Sequence, residues 1–226
     1  MRPARLAVLA LLATVCPAFA GEPFPATLEG HIVIPAETFI DAPADAPADL
    51  KTSGKFTGGS RVDAAGSIEG KSFGRPTGVK YPFPGQPIQG HSGIKRMADG
   101  TFWVITDNGF GTKANSPDSM LFLNQYRFDW SKGAAERLAT IFLHDPDKKV
   151  PFRIANEATD KRYLTGADFD TESFQPIGDK IWIGDEFCNG KVEAVFETEV
   201  DGKPARSPDH YAVASPATPT ATGVFN

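Results

Sequence analysis

The sequence predicts an all-β fold: antiparallel blades arranged as in a β-propeller, a ring that is partial, and an irregular N-terminal region. Three observations lead there. From Ile94 onward, short runs of β-branched and aromatic residues such as "TFWVIT", "SMLFLNQYRFDW", "RLATIFL", "KIWIG" and "KVEAVFETEV" alternate with the turn sequences "ADG", "SKG", "IGD" and "VDG". No stretch of this region sustains a helical period over three turns. A tryptophan-bearing hairpin also recurs: "GHSGI…ADGTFWVITDN" from Gly90 to Asn108 returns as "TGADF…IGDKIWIGDE" from Thr165 to Glu186. Trp103 and Trp182 stand about two propeller blades apart at roughly 40–45 residues per blade.

The chain is 226 residues long with a formal charge of −5. Its first twenty residues, "MRPARLAVLALLATVCPAFA", read as a secretory signal. Arg2 and Arg5 form a basic start, Leu6 to Val15 an apolar core too short to span a bilayer, and "AFA" a cleavage site between Ala20 and Gly21. The expected location is therefore periplasmic or secreted. Cleavage would leave 206 residues with a formal charge of −7, since both arginines leave with the signal. An acidic protein of this kind is not expected to bind nucleic acid, and no other run is long enough to cross a membrane. Of the two cysteines only Cys188 would remain, so no internal disulfide is expected.

Residues 21–89 form the Pro/Gly-rich N-terminal part of the domain. "DAPADAPADLKTSG" is turn-and-loop sequence, and "LEGHIVIPAETFI" before it can supply one or two short strands. Residues 90–226 form the propeller-like part. In "LFLNQYRFDW" Phe122, Tyr126, Phe128 and Trp130 would share one strand face. Propellers typically have four to eight blades, and this region offers about three. A ring completed by neighbouring chains, or a chain that is a fragment of a longer protein, is the expectation.

The best site candidates are acids at strand ends. "TFWVITDN" stops on Asp107 and Asn108, and "KIWIGDE" stops on Asp185 and Glu186. Asp168 stands at the entry of the second unit. Equivalent positions of successive blades lie at one depth around a common axis, so repetition would bring these oxygens together. Converging carboxylates repel, and a bound cation relieves the repulsion; oxygen-only ligands favour Ca²⁺ or Mg²⁺ over zinc. The other reading is that each acid caps its own hairpin in solvent. Among the remaining motifs, "AGSIEGKS" fits a relaxed phosphate loop, but "FGRPTG" follows where a helix should open. "GHSG" places its second glycine one residue early for a nucleophile elbow around Ser92. His91, between glycine and serine, can serve as base or ligand.

At "QGHSGIKRMADGTFWVITDNGFG", "RYLTGADFD" and "GDKIWIGDEF" the chain resembles the esterase-like phytase family, also called the phytase-like domain family. The resemblance runs from about Leu28 to the C-terminus. It implies an exported β-propeller-type protein that releases phosphate from phytate or hydrolyses carboxylic esters. The chain departs from the family where "GDEF" passes into "CNGKVEAVF" instead of "GDEFGP", and members are commonly longer. The expected function is thus a metal-dependent hydrolase of a small-molecule phosphate or carboxylic ester. Asp107, Asp168, Asp185 and Glu186 would hold a divalent cation, Ca²⁺ by ligand chemistry. His91 and Asp107 would be catalytic, and Asn108, Lys113 and Arg162 would contact substrate. The alternative is a non-catalytic propeller that binds a ligand or an envelope partner around a structural calcium.

Overall fold

The computed structural model describes residues 26–88 and 90–186 together with the backbone of one further strand, Glu193–Glu197. Among these residues the chain is all-β, every strand pair is antiparallel, and one 3-10 turn, Ala48–Leu50, is the sole helical element. The expected signal segment and Cys188 lie outside the described residues.

Four strands, β5 (His91–Arg96), β6 (Phe102–Thr106), β7 (Phe122–Asp129) and β8 (Ala134–Phe142), form one sheet in sequence order. β9 (Thr171–Ile177), β10 (Lys180–Asp185) and β11 (Glu193–Glu197) form a second, with β10 in the middle. The N-terminal part adds two small ladders. β1 (Phe39–Ile40) pairs with β4 (Gln86–Pro87), and β2 (Ile68–Ser72) pairs with β3 (Arg75–Tyr81).

The tryptophan hairpins are structural copies. Trp103 lies opposite Lys95 as Trp182 lies opposite Gln175, and the Lys95 and Gln175 side chains meet across the sheets at 3.3 Å. Both ladders shift register at the same place. His91 faces Thr106 and Gly93 faces Ile105, leaving Ser92 as the extra residue. Thr171 faces Asp185 and Ser173 faces Gly184, leaving Glu172 extra. The same backbone bond closes each hairpin: the Asp107 amide donates to Gly90 at 2.7 Å and the Glu186 amide to Asp170 at 2.9 Å. The true counterpart of "GHSGI" is therefore "DTESF", Asp170 to Phe174, and not "TGADF". The positional match of Asp107 is Glu186, while Asp185 matches Thr106.

Strand alternation then divides the core. Trp103, Ile105, Leu121 and Leu123 face the second sheet, whose Ile181 and Ile183 complete that layer. Val104, Phe122 and Tyr126 face the other way onto Ile40, Leu50 and Ile88 of the N-terminal part. Each fully buried side chain of this size contributes about 1.5–3 kcal/mol. β7 keeps its alternation because the extra residue at its register shift is Leu138 of β8. Phe122, Tyr126 and Phe128 accordingly share one face, as expected. The two sheets approach most closely at Gly93, where a Cβ would stand 3.2 Å from the Phe174 ring and 3.4 Å from Ser173 Cα.

Besides its two ladders, the irregular N-terminal part is fixed by buried polar bonds. The Lys55 ammonium pairs with Asp118 at 3.0 Å, both side chains 2 % exposed, and donates to the carbonyls of Asp49 and Thr52. Gln86 donates to Leu50 and Asp118 carbonyls and accepts from the Met120 amide.

Candidate functional site

The closing bonds of the two hairpins lie where β5 and β9 begin and β6 and β10 end, so residues around them gather at one end of both sheets. Ser92 and Glu172, the two extra residues, lie close enough that the serine hydroxyl acts to lower the Glu172 pKa. The strand-end expectation for Asp107 and Glu186 places them one residue past β6 and β10. Between them stands a residue that sequence reading passed over, Asp170. Its carboxylate accepts the Asn108 amide at 3.1 Å on Oδ1 and the Asn108 side-chain amide at 2.7 Å on Oδ2. Its own amide donates to Asp185 Oδ1 at 2.6 Å. Asp107, Asn108, Asp170 and Asp185 are thus linked across the two sheets.

Oxygens of Asp170, Glu172 and Glu186 all lie within 4.8 Å of one another. Two ligands on opposite sides of a Ca²⁺ ion at about 2.4 Å each would be separated by that much, so the three carboxylates fit such an ion. Asp170 and Glu172 are half-buried and Glu186 is exposed, leaving one open side. Burial raises the Glu172 carboxyl above its ordinary range; the charges of Asp170, Asp107 and Glu186 raise it further, against the Ser92 hydroxyl. The Asp107 carboxyl is also raised, first by burial and then by Asp170, while the Gly109 amide at 2.7 Å works against the rise. Gly90 is obligatory here: with φ at +67°, it brings its Cα so close to the Asp107 carboxylate that a Cβ would overlap it.

The other expected site residues fall into three groups. Asn108, 2 % exposed, is a positioning residue: besides binding Asp170 it accepts the Gly111 amide at 2.7 Å. Asp168 and Asp185 are both buried. Asp168 accepts the Ala155 and Thr165 amides at 2.7 and 2.8 Å and the Thr165 hydroxyl at 3.0 Å, which ties a loop together. The third group lies apart from the carboxylates. Lys113 is exposed, and its charge acts on Asp168. Arg162, 2 % exposed, is turned to Asp145 at 2.9 Å and Glu157 at 2.8 Å, with Nε donating to the Asp145 carbonyl. Its guanidinium holds a loop and has no face left for a substrate phosphate.

His91 lies on the cleft side of β5, its ring edge-on to Tyr126 at 6.0 Å between centroids. Crowding by the cleft lowers its pKa from the ordinary histidine value. Ser92, one residue on, reaches Glu172, so the histidine adjoins the carboxylate cluster through the chain itself.

The model of the Phytase-like family, described as esterase-like activity of phytase, matches residues 86–224, a span that holds both hairpins and the whole carboxylate cluster. No curated protein and no solved structure matches the chain. The matched span is more than half of the sequence, and the chain belongs to the Phytase-like family.

Proposed function

We propose that this protein is an exported hydrolase of ester bonds that works with a divalent cation, calcium by donor chemistry. The observation that carries the reading is the convergence of Asp170, Glu172 and Glu186 oxygens within 4.8 Å at the mouth shared by two repeated hairpins. The family match supports the reaction class. Asp170, Glu172 and Glu186 would hold the ion, with Asp107 adding negative charge beside them; when bound, it would supply Lewis acidity to an ester oxygen.

The chain's own groups do the rest. Asn108 fixes the Asp170 carboxylate with two bonds, so the cluster keeps its shape without an ordering cost at each turnover. His91, whose pKa desolvation lowers from the ordinary histidine value, accepts a proton from the attacking water. The water oxygen bonds to the acyl carbon or phosphorus, the ester bond to the alcohol oxygen breaks, and the alcohol leaves with the proton from His91. Ser92, whose hydroxyl lowers the Glu172 pKa, would act as a positioning residue. This reading replaces the expected ligands Asp168 and Asp185 by Asp170 and Glu172.

The direct test uses the purified protein with p-nitrophenyl phosphate and p-nitrophenyl acetate, each in calcium and in chelator. Nitrophenol release that needs calcium and drops at least about a hundredfold in His91→Gln is expected. Equal rates in calcium and chelator would remove the cation from the mechanism, and no release from either ester would remove the hydrolase.

A further inference from the structure

Beside the carboxylates runs a cleft of about 550 Å³ between the N-terminal segment and the face of β5, β6 and β7. That volume lies within the range of small-molecule sites, roughly 300–1,000 Å³. Its walls are Ile34, Ile88, Ile94 and Val104 with the rings of Phe128 and Trp130. Among the described residues no carboxylate, lysine or arginine lines it, and His91 and Tyr126 are its ionisable side chains. Ile94 and Trp130 are 63 % and 52 % exposed, so the cleft is open to solvent rather than sealed in the core.

The cleft ends at the site. Gly90 and Ser92 both line it. Gly90 is in contact with the Asp107 carboxylate, and Ser92 lies close enough to Glu172 to lower its pKa. One end of the cleft therefore adjoins the carboxylates while its walls are apolar, with His91 between Gly90 and Ser92 at that end.

We propose that the substrate is an ester with one apolar half, an aryl or acyl group that lies in this cleft while its ester bond reaches the carboxylates. This rests on the hydrolase reading and narrows it. A multiply phosphorylated polyol would find no cation in the cleft, and transferring its charges there would carry a large desolvation cost. An aryl or acyl group loses only contact with water, which favours binding in proportion to the area covered.

The test has a kinetic arm and a binding arm. Wild-type protein in calcium is assayed on p-nitrophenyl butyrate, glycerol 2-phosphate and inositol hexakisphosphate. Separately, 4-nitrophenol is titrated into the protein while tryptophan fluorescence is followed, since Trp130 lines the cleft. Both arms are repeated with Ile94→Asp, a change at an exposed position that should leave Tm unaltered. The expected results are a preference for the butyrate ester of at least about tenfold in kcat/KM, and nitrophenol quenching weakened about tenfold by Ile94→Asp. Equal or better turnover of either polar phosphate ester, or quenching indifferent to Ile94→Asp, overturns the apolar subsite. No turnover of any ester with quenching still lost in Ile94→Asp would leave the subsite standing and sink the hydrolase reading instead.

Discussion

A carboxylate can hold a loop, hold an ion or repel its neighbours, and at this site hydrogen-bond counts separate those roles. Asp168 has both oxygens occupied by three donors of the chain. Asp168→Ala should leave buried amides unsatisfied and cost about 3 kcal/mol or more in urea unfolding. Glu172 is different, because besides burial and Ser92 the charges of three acids, Asp170, Asp107 and Glu186, act on it. Without a cation, Glu172→Gln removes repulsion and should stabilise the protein by up to about 1 kcal/mol. With calcium the sign should reverse, as a ligand is lost; melting curves of the variant in chelator and in calcium read both arms. Asp107 gives a pH test. Its folded pKa is raised, so between the unfolded and folded values the native state binds more protons, and this contribution to stability falls as pH rises. Asp107→Asn keeps an acceptor for the Gly109 amide and should flatten the rise in Tm expected in chelator as pH falls toward the ordinary carboxylate range.

At the scale of the element, the unit is the bulged hairpin, and its legibility in the sequence was uneven. The tryptophan strands and their turns stand out because β-branched and aromatic runs between glycines have one structural meaning. The acids one residue past β6 and β10 could be read from those strands. Asp170 and Glu172 could not, because "DFDTES" has no strong alternation, and the role of both residues depends on a register shift that appears only when β9 pairs with β10. Arg162 misleads for a related reason: a cation near acids in sequence resembles a phosphate contact, but tertiary burial commits it to Asp145 and Glu157. The packing between elements also carries a test. Gly166 lies against the backbone of Asn108 so closely that a Cβ would overlap the Asn108 carbonyl. Since that neighbour is backbone, Gly166→Ala must move the Asn108 loop away from Asp170. Loss of calcium binding together with about 1–3 kcal/mol of stability is expected, read by calcium titration and by urea unfolding.

At the scale of the whole molecule, two blades repeat one design, and Asn108 of the first fixes a carboxylate of the cluster on the second. Asn108 belongs to the first blade and Asp170, Glu172 and Glu186 to the second, so an ion held there links the docking of the blades to ligand binding. Calcium bound to the folded state alone should therefore act on global stability and not only on a loop. At a free concentration a hundredfold above Kd, the linkage contributes about 2.7 kcal/mol, or roughly 5–10 °C in Tm for a chain of this size. Magnesium should shift Tm less, since it demands a small octahedral shell that three carboxylates, one on β9 and two just outside β9 and β10, do not preform. Scanning calorimetry in chelator, calcium and magnesium measures this, and the His91→Gln variant separates binding from chemistry. That variant should retain the full calcium shift while losing turnover, because its ring faces the cleft and Tyr126. A calcium shift absent in the wild type would mean that the end of the two hairpins is an acidic surface without an ion.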